Sequence, residues 1–221
     1  MSKLIASEFL SLDGVMKNPS WTFQFSSEEQ EKYKFAELLA SDALLLGRTT
    51  YEEFALAWPD MLEQYRGPRR AELGEYADMM NGYPKYVVSE TLEGPLEWNN
   101  SLLIKENVAE KVSGLKQQLG KDILIFGSGE LVNTLMQHDL IDEYRLMVFP
   151  IVVGSGKRLF EGKIDTTVLN LVDSKTFGTG VVVLTYQPAG RQDASRGLEV
   201  DWPKEYGDTF DCGGWEHRSR V

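Results

Sequence analysis

Short apolar runs alternate with amphipathic stretches along most of the chain. The runs are rich in Leu, Ile, Val and Phe, and show little polar alternation: Lys3–Leu12, Ala43–Leu46, Tyr86–Val88, Leu102–Ile104 and Ile123–Phe126. Runs of this kind predict strands, and the shortest predict strands that are buried on both faces. Because amphipathic segments of helical period lie between the runs, the pattern predicts an α/β fold with a mostly parallel central sheet.

The pattern changes to strands alone after residue 142. Tyr144–Val153 is predicted as one long strand, and Thr167–Val172 with Gly180–Tyr186 as an antiparallel hairpin at one edge of the sheet. Pro188–Val221 is rich in turn residues and has no periodic apolar face. We therefore predict one domain over residues 1–187 and a C-terminal extension of unknown role over residues 188–221.

Two helix boundaries can be predicted from local chemistry. Ser26 or Ser27 is followed three residues later by Glu or Gln, a pattern typical of a helix N-terminus. A second helix is predicted to begin at Thr50 and to stop at Trp58, because Pro59 cannot donate a helical hydrogen bond.

Composition excludes several classes of function. The 221 residues carry a net charge of −11, which disfavours a nucleic-acid-binding surface. The longest apolar runs are far shorter than the roughly 18–20 residues of a membrane span, so no membrane association is expected. One cysteine, no leader-like N-terminus and two histidines far apart predict a cytoplasmic protein without a metal site.

The predicted strands end in residues that suit phosphate. Gly47-Arg48-Thr49-Thr50 follows one strand, Ser89 the next, and Gly127-Ser128-Gly129 a third. A glycine turn that leads into a helix directs free backbone N–H groups at an anion, and an arginine adds a fork of donors. The alternatives are a tight connection at Gly127 and a solvated arginine that pairs with Glu52.

In open α/β sheets, ligands bind at the carboxyl ends of the strands. A ligand that contacts all three of these ends would be elongated and would carry several phosphates. The arginine and Ser89 suit a 2′-phosphate, and the Gly127 turn suits a pyrophosphate. These residues therefore favour NADP over NAD as the bound cofactor.

Two features near the N-terminus allow a functional and a structural interpretation. Asp13 precedes a glycine at the end of the first strand, where it could face a ligand or simply form the turn. The aromatic stretch Asn18–Phe25, which includes Trp21, is expected to fold over something apolar, either the core or a ligand.

Four segments taken together resemble the dihydrofolate reductase-like superfamily. They are Ser11–Val15, Ala43–Glu52, Ile125–Gly129 and Pro150–Phe160. The resemblance is closer to the RibD C-terminal domain family, the pyrimidine-reductase half of the bifunctional riboflavin-biosynthesis deaminase-reductase, and it covers about residues 3–187. It implies a three-layer α/β/α fold and an NADPH-dependent reductase of a small heterocyclic substrate, usually a homodimer.

The resemblance also implies roles for individual residues. Asp13 matches the strand-end aspartate near the site of hydride transfer, and is the predicted catalytic residue. The predicted cofactor-binding residues are Gly47, Arg48, Thr49, Thr50, Ser89, Gly127, Ser128, Gly129, Glu130 and Leu131. The predicted substrate-side residues are Trp21, Phe126, Gly154, Gly156 and Lys157.

The chain departs from the riboflavin reductases at one informative position. Those enzymes carry a glutamate immediately before the glycine pair, where this chain has Phe126. The deaminase half is absent from the 221 residues. Two alternatives therefore remain beside the reductase: an NADP-binding protein of the same fold without activity, and a dihydrofolate reductase.

Overall fold

A computed structural model of the protein describes residues 1–64, 71–162 and 165–189. The strands are β1 (Leu4–Ser11), β2 (Ser41–Gly47), β3 (Lys85–Val88), β4 (Ser101–Ile104), β5 (Asp122–Phe126), β6 (Glu143–Phe149), β7 (Leu169–Thr176) and β8 (Val182–Pro188). The α-helices are α1 (Glu28–Leu39), α2 (Arg48–Gln64), α3 (Ala71–Gly82), α4 (Val108–Gln118) and α5 (Gly129–Gln137). The predicted extension lies outside the described residues from residue 190 onward, so the domain boundary stays a prediction.

The strands form one sheet in the order β4-β3-β2-β5-β1-β6-β8-β7. Neighbours from β4 through to β6 are parallel, whereas β8 runs antiparallel to both β6 and β7. The mostly parallel sheet and the terminal antiparallel hairpin are thus confirmed. Because the first six strands are parallel, their carboxyl ends lie along one edge of the sheet.

Strand β2 shows why a short apolar run marks the centre of the sheet. Ala43 and Leu45 pack into a core with side chains of α4 and α5, whereas Leu44 and Leu46 pack with side chains of α1, α2 and α3 on the opposite face. All four side chains are fully buried. Successive strand residues point to opposite faces, so a strand between two helical layers must be apolar throughout.

Two boundaries differ from their prediction. Helix α2 continues through Pro59 to Gln64, because Trp58 packs against Phe54 and Tyr76 and tertiary contact outweighs the roughly 3 kcal/mol local cost of an internal proline. Strand β6 ends at Phe149 rather than at residue 153. Pro150 follows it and lacks the N–H group that a strand ladder needs.

Of the two serines predicted to begin the first helix, the structure selects Ser27. Ser27 is the N-cap of α1, and its side chain accepts a hydrogen bond from the backbone N–H of Gln30. The helix buries Gln30, Glu37 and Leu38 against the sheet. Two polar side chains, Gln30 and Glu37, therefore lie on the buried face of α1.

Candidate functional site

A cleft of about 1190 Å³ lies at the edge where the parallel strands end. Strand β5 stops beside Ser7 of β1, whereas β1 continues to Ser11 with β6 as its partner. The second half of β1 therefore presents an unpaired backbone edge to the space above β5. The residues that follow β2, β3 and β5 form the remaining walls of the same cleft.

The turns after β2 and β5 are joined by one serine side chain. Ser128 Oγ accepts a hydrogen bond from the backbone N–H of Gly47 at 2.8 Å and donates one to Thr50 Oγ1 at 2.9 Å. These contacts hold the first residues of α2 beside the first residues of α5. Because each helix start carries partial positive charge, the pair forms a region suited to an anion.

The second turn leads into α5 without a side-chain cap among the described residues. Ser128 is the N-cap of α5 in a left-handed conformation, and its side chain makes no capping hydrogen bond within the described residues. Gly127 has φ +59°, and a Cβ there would lie 2.9 Å from Thr50 Oγ1. A Cβ on Gly129 would lie 2.7 Å from Met16 Sδ. A side chain at Gly127 would be strained by this φ and would crowd Thr50, whereas one at Gly129 would displace the end of the Met16 side chain, so the two glycines let the turn pack closely against its neighbours.

Arg48 spans the mouth of the cleft between two elements. Its Nε donates to Glu52 at 2.8 Å, as the structural interpretation predicts, and its Nη1 donates to Thr91 Oγ1 at 2.8 Å. Ser89 Oγ accepts hydrogen bonds from the backbone N–H groups of Thr91 and Leu92 and so shapes the turn that receives the arginine. The guanidinium is half exposed and remains accessible to a charged group.

The floor of the cleft contains a carboxyl group in the middle of β1. Glu8 lines the cleft, yet its residue is only 1% exposed to solvent. Burial raises its pKa well above the ordinary value, against the opposing effects of the Lys34 ammonium and of the Gly127 N–H group. Its Oε1 atom has no hydrogen-bond partner among the described residues.

Lys34 also lines the cleft, and it belongs to α1, which packs on the same face of the sheet as α2 and α3. Lys34 Nζ donates to Ser7 Oγ at 2.7 Å and pairs with Glu37, while it lies 4.3 Å from the centre of the Phe126 ring. Arg145 also pairs with Glu37. The floor therefore combines a fixed cation, an aromatic face and a buried acid.

The outer rim is closed by residues of α5 and of the segment after β6. Lys157 pairs with Glu130, and both side chains line the cleft together with Leu131. All ten predicted cofactor-binding residues line this cleft, as do two of the predicted substrate-side residues, Phe126 and Lys157. The structure thus brings most of the predicted site together.

Asp13 does not belong to the cleft lining. Its carboxylate accepts hydrogen bonds from the Ser11 hydroxyl at 2.7 Å and from the backbone N–H groups of Val153 and Gly154 at 3.0 and 2.9 Å. The Arg158 guanidinium lies 3.5 Å away. These hydrogen bonds, that of Ser11 foremost, lower the pKa of Asp13 to about 2. In the structure the aspartate fastens the loop after β6 to the turn after β1.

Three further predicted substrate-side residues lie outside the lining. Trp21 packs edge-on against Phe149, with ring centres 5.5 Å apart, in a separate apolar cluster. Gly154 is held by Asp13, and a Cβ on Gly156 would lie 2.8 Å from Val15 Cγ1. The aromatic segment still contributes, because other residues of its 3-10 helix (Pro19–Phe25) line the cleft: Pro19, Ser20, Thr22 and Phe23.

Sequence reasoning missed Glu8, Ser7 and Lys34. Glu8 is a charged residue in the middle of an otherwise apolar strand, which is the signal that could have identified it. Lys34 lies four residues after Gln30 and three before Glu37, so the spacing places it near the buried face of α1. A polar stripe on the inner face of a helix is a second readable signal.

Two further properties of the described chain bear on function. Within residues 1–64, 71–162 and 165–189, no three His, Cys, Asp or Glu side chains are grouped so that they could hold a metal ion. In the same residues, no helix is long and apolar enough to cross a membrane. The predicted absence of a metal and the cytoplasmic location stay predictions.

Known proteins share this sequence and this fold. The family model described as RibD C-terminal domain matches residues 2–183. The uncharacterized proteins YyaP and YwjB, both of Bacillus subtilis (strain 168), are 32% and 30% identical over 83% and 78% of this chain, and over 94% and 90% of their own lengths.

Solved structures extend the fold comparison. A putative riboflavin biosynthesis protein from Shewanella sp. PV-4 has a TM-score of 0.62 at 22% identity, covering 86% of this chain and 99% of its own. The deaminase/5-amino-6-(5-phosphoribosylamino)uracil reductase of Thermotoga maritima has a TM-score of 0.57 at 11% identity, covering 85% and 57%. A dihydrofolate reductase from Enterococcus faecalis complexed with NADP(H) has a TM-score of 0.50 at 16% identity, covering 84% and 96%.

The structural neighbours therefore include reductases of the riboflavin-biosynthesis and dihydrofolate reductase types, and the fold predicted from sequence is confirmed. At these identities the structural likeness establishes the fold, whereas the family model and the two Bacillus relatives establish the family. The chain belongs to the RibD C-terminal domain family.

Proposed function

We propose that the protein is an NADPH-dependent reductase of a small heterocyclic substrate of the pyrimidine or pterin type. The observation that carries this proposal is the convergence of three strand ends on one cleft, with Arg48 at its mouth and the Gly127–Gly129 turn at its centre. An anion-binding turn and a separate cationic mouth suit a ligand with two phosphate groups at a distance from each other.

The residues present fit the cofactor. The start of α5 has no side-chain cap among the described residues, so its backbone N–H groups can approach a pyrophosphate, and Gly127 and Gly129 keep the turn before it compact. Arg48 and the turn at Ser89 would hold the 2′-phosphate, with Thr49 and Thr50 beside them. Bound NADPH would supply a hydride, and the protein would supply orientation and proton balance.

The floor of the cleft would hold the reacting ring. Phe126 offers an aromatic face for stacking, and Lys34 fixes positive charge beneath it. The unpaired edge of β1 after Ser7 offers backbone donors and acceptors to a planar amide-bearing ring. Since Asp13 is engaged by the loop after β6, we propose that the groups of the floor, rather than this aspartate, contact the substrate.

The cofactor assignment is tested by comparing NADPH and NADH in thermal denaturation. We expect NADPH to raise Tm more than NADH does, and Arg48→Ala to remove that difference by weakening NADPH binding about tenfold or more. Arg158→Ala is the matched control, because this arginine lies outside the cleft. Equal shifts with both cofactors in the wild-type protein would contradict the 2′-phosphate assignment.

One observation favours a second candidate, an NADP-binding protein without reductase activity. Phe126 stands where the riboflavin reductases carry a glutamate, so one polar contact to a substrate is missing. Steady NADPH oxidation with a pyrimidine, a pterin or dihydrofolate would exclude this candidate. A panel that gives binding of NADPH without turnover would favour it over the reductase.

We further propose that the protein acts as a cytoplasmic homodimer, as the family resemblance implies. Sedimentation equilibrium of the purified chain measures its assembly state directly. A monomer at micromolar concentration would contradict this part of the proposal and would leave the cofactor assignment unaffected.

A further inference from the structure

The side chain of Glu8 is polar, buried and incompletely satisfied. It lies in the middle of β1 at the floor of the cleft, with Oε1 lacking a hydrogen-bond partner among the described residues. The backbone N–H group of Gly127 faces the carboxyl group and accounts for part of its hydrogen-bonding capacity. Buried polar atoms in folded proteins are nearly always paired, so an orphan atom at the floor of a cleft points to a missing partner.

The charges around Glu8 decide which protonation state it adopts. Lys34 of α1 and the Gly127 N–H group favour the carboxylate, whereas Glu37 of α1 and above all burial favour the neutral acid. Lys34 is already paired with Glu37 and bonded to Ser7, so its charge is largely compensated. Burial thus prevails, and its effect is to raise the pKa of Glu8.

A neutral carboxyl group needs an acceptor rather than a donor. The O–H group of protonated Glu8 is a hydrogen-bond donor. Oε1 has no hydrogen-bond partner among the described residues, so the protein supplies no acceptor for a proton on this atom. A phosphate or carboxylate ligand would gain little at this point, because the nearby cations Lys34 and Arg145 are both already paired with Glu37. An uncharged carbonyl oxygen is suited to it, and the ring of Phe126 lines the same cleft.

We propose that Glu8 binds ligand as a neutral carboxylic acid, donating a hydrogen bond from the floor of the cleft to the carbonyl oxygen of an amide or cyclic amide. This inference rests on the proposed function, because the amide belongs either to the nicotinamide of the cofactor or to a lactam of the substrate. Both sources share one chemistry, an uncharged carbonyl on a flat ring. Glu8 then determines specificity at the reacting end, away from the phosphate-binding turns.

Calorimetric titration of the full chain tests the proposal with three probes. NADPH carries the amide, 2′-phospho-ADP-ribose has the same phosphates without it, and uracil added to NADP⁺-saturated protein supplies a lactam. Glu8→Ala is expected to weaken the binding of NADPH or of uracil about tenfold or more. Its affinity for 2′-phospho-ADP-ribose is expected to stay within about twofold of the wild-type value. Glu8→Gln retains an N–H donor and is expected to restore most of that binding.

The pH dependence supplies an independent readout. Raising the pH ionises Glu8 and removes its donor, so the wild-type protein is expected to lose affinity for the amide-bearing probe. Glu8→Gln cannot ionise and is expected to keep its affinity over the same range. Glu143→Gln is the matched control, because Glu143 is also a buried carboxyl group but is paired with Lys3 and Arg145 outside the cleft.

The outcomes separate this inference from the proposed function. Equal affinity of wild type and Glu8→Ala for both amide-bearing probes would overturn the inference. An equal loss of affinity of Glu8→Ala for all three probes would also overturn it. Failure of the wild-type protein to bind 2′-phospho-ADP-ribose or NADPH would instead overturn the proposed function.

Discussion

Two carboxyl groups five residues apart, Glu8 and Asp13, have opposite environments. Glu8 is buried in the middle of β1, where desolvation raises its pKa. Asp13 lies in the turn after β1, where hydrogen bonds from Ser11, Val153 and Gly154 lower its pKa to about 2. Among the described residues, one oxygen of Glu8 has no hydrogen-bond partner, whereas both oxygens of Asp13 have partners. A carboxyl group satisfied by its own protein stabilises a loop, whereas an unsatisfied one at a cleft is available to a ligand.

The sharpest way to test this contrast is the pH dependence of stability in Glu8→Gln. Since the folded-state pKa of Glu8 is raised, this group keeps its proton to a higher pH in the folded protein than in the unfolded chain, and its contribution to stability falls as pH rises above 4.5. The slope from this one group is at most about 1.4 kcal/mol per pH unit. Glu8→Gln is expected to lack it and to be more stable than wild type at alkaline pH.

Urea denaturation at a series of pH values measures both slopes. Glu143→Gln serves as the control for loss of a buried carboxyl group. Parallel stability curves for wild type and Glu8→Gln above pH 4.5 would show that Glu8 is ionised in the folded protein, and the contrast with Asp13 would disappear.

Asp13→Asn is expected to give an effect of the opposite sign, at acid pH. Because the folded-state pKa of Asp13 is depressed from 3.8 to about 2, its contribution to stability is fully present above pH 3.8 and is lost as pH falls through 2. The variant is expected to have a lower Tm at neutral pH and a smaller dependence on pH in that acid window. Cofactor-induced shifts in Tm are expected to match those of wild type.

Scanning calorimetry with and without NADPH separates stability from binding in this variant. Loss of the NADPH shift in a folded Asp13→Asn protein would return this aspartate to the ligand site that the sequence predicts for it. Retention of the shift would assign it to the loop after β6.

The smallest effect is expected for Arg158→Gln. Its guanidinium lies 3.5 Å from the Asp13 carboxylate, and both side chains retain access to solvent, so the ion pair contributes little. The loss of stability at acid pH is expected to occur at nearly the same pH in Arg158→Gln as in wild type. The small remaining difference is expected to decrease further in high salt. A shift as large as that of Asp13→Asn would show that the arginine, rather than the hydrogen bonds, holds the aspartate ionised.

The strand-to-helix junctions were predicted well because their signals are local. A buried strand, a glycine and a helix start occupy consecutive residues at Gly47 and at Gly127, so the chain carries the whole pattern in a few positions. Parallel strands then bring the junctions to one edge, which follows from the alternation of strands and helices. The phosphate-binding character of this edge is therefore a prediction from sequence that the geometry supports.

The two boundaries that were predicted wrongly have different causes. Pro59 is a local signal to end a helix, but the contact of Trp58 with Phe54 and Tyr76 on α2 and α3 extends α2 beyond it. The end of β6 is different, because Pro150 lacks the N–H group that a strand ladder needs, and this local signal in the apolar run was overlooked. At Pro59, therefore, a partner distant in sequence outweighs a local preference, whereas at Pro150 the local preference holds.

The sequence by itself determined a mostly parallel sheet with an antiparallel edge and the strand ends that line the cleft, because hydrophobic period and glycine turns act over a few residues. Only the tertiary structure decided which carboxyl group faces that cleft. Asp13 carries the readable turn signal, but the backbone of Val153 and Gly154, some 140 residues away, satisfies it. Glu8 carries no motif, and becomes significant because strand β5 ends at Phe126, beside Ser7, so that the cleft opens over the next residue of β1. Burial and hydrogen-bond partners are properties of the assembled fold, so only the fold shows which of these two carboxyl groups is left without a partner at the cleft.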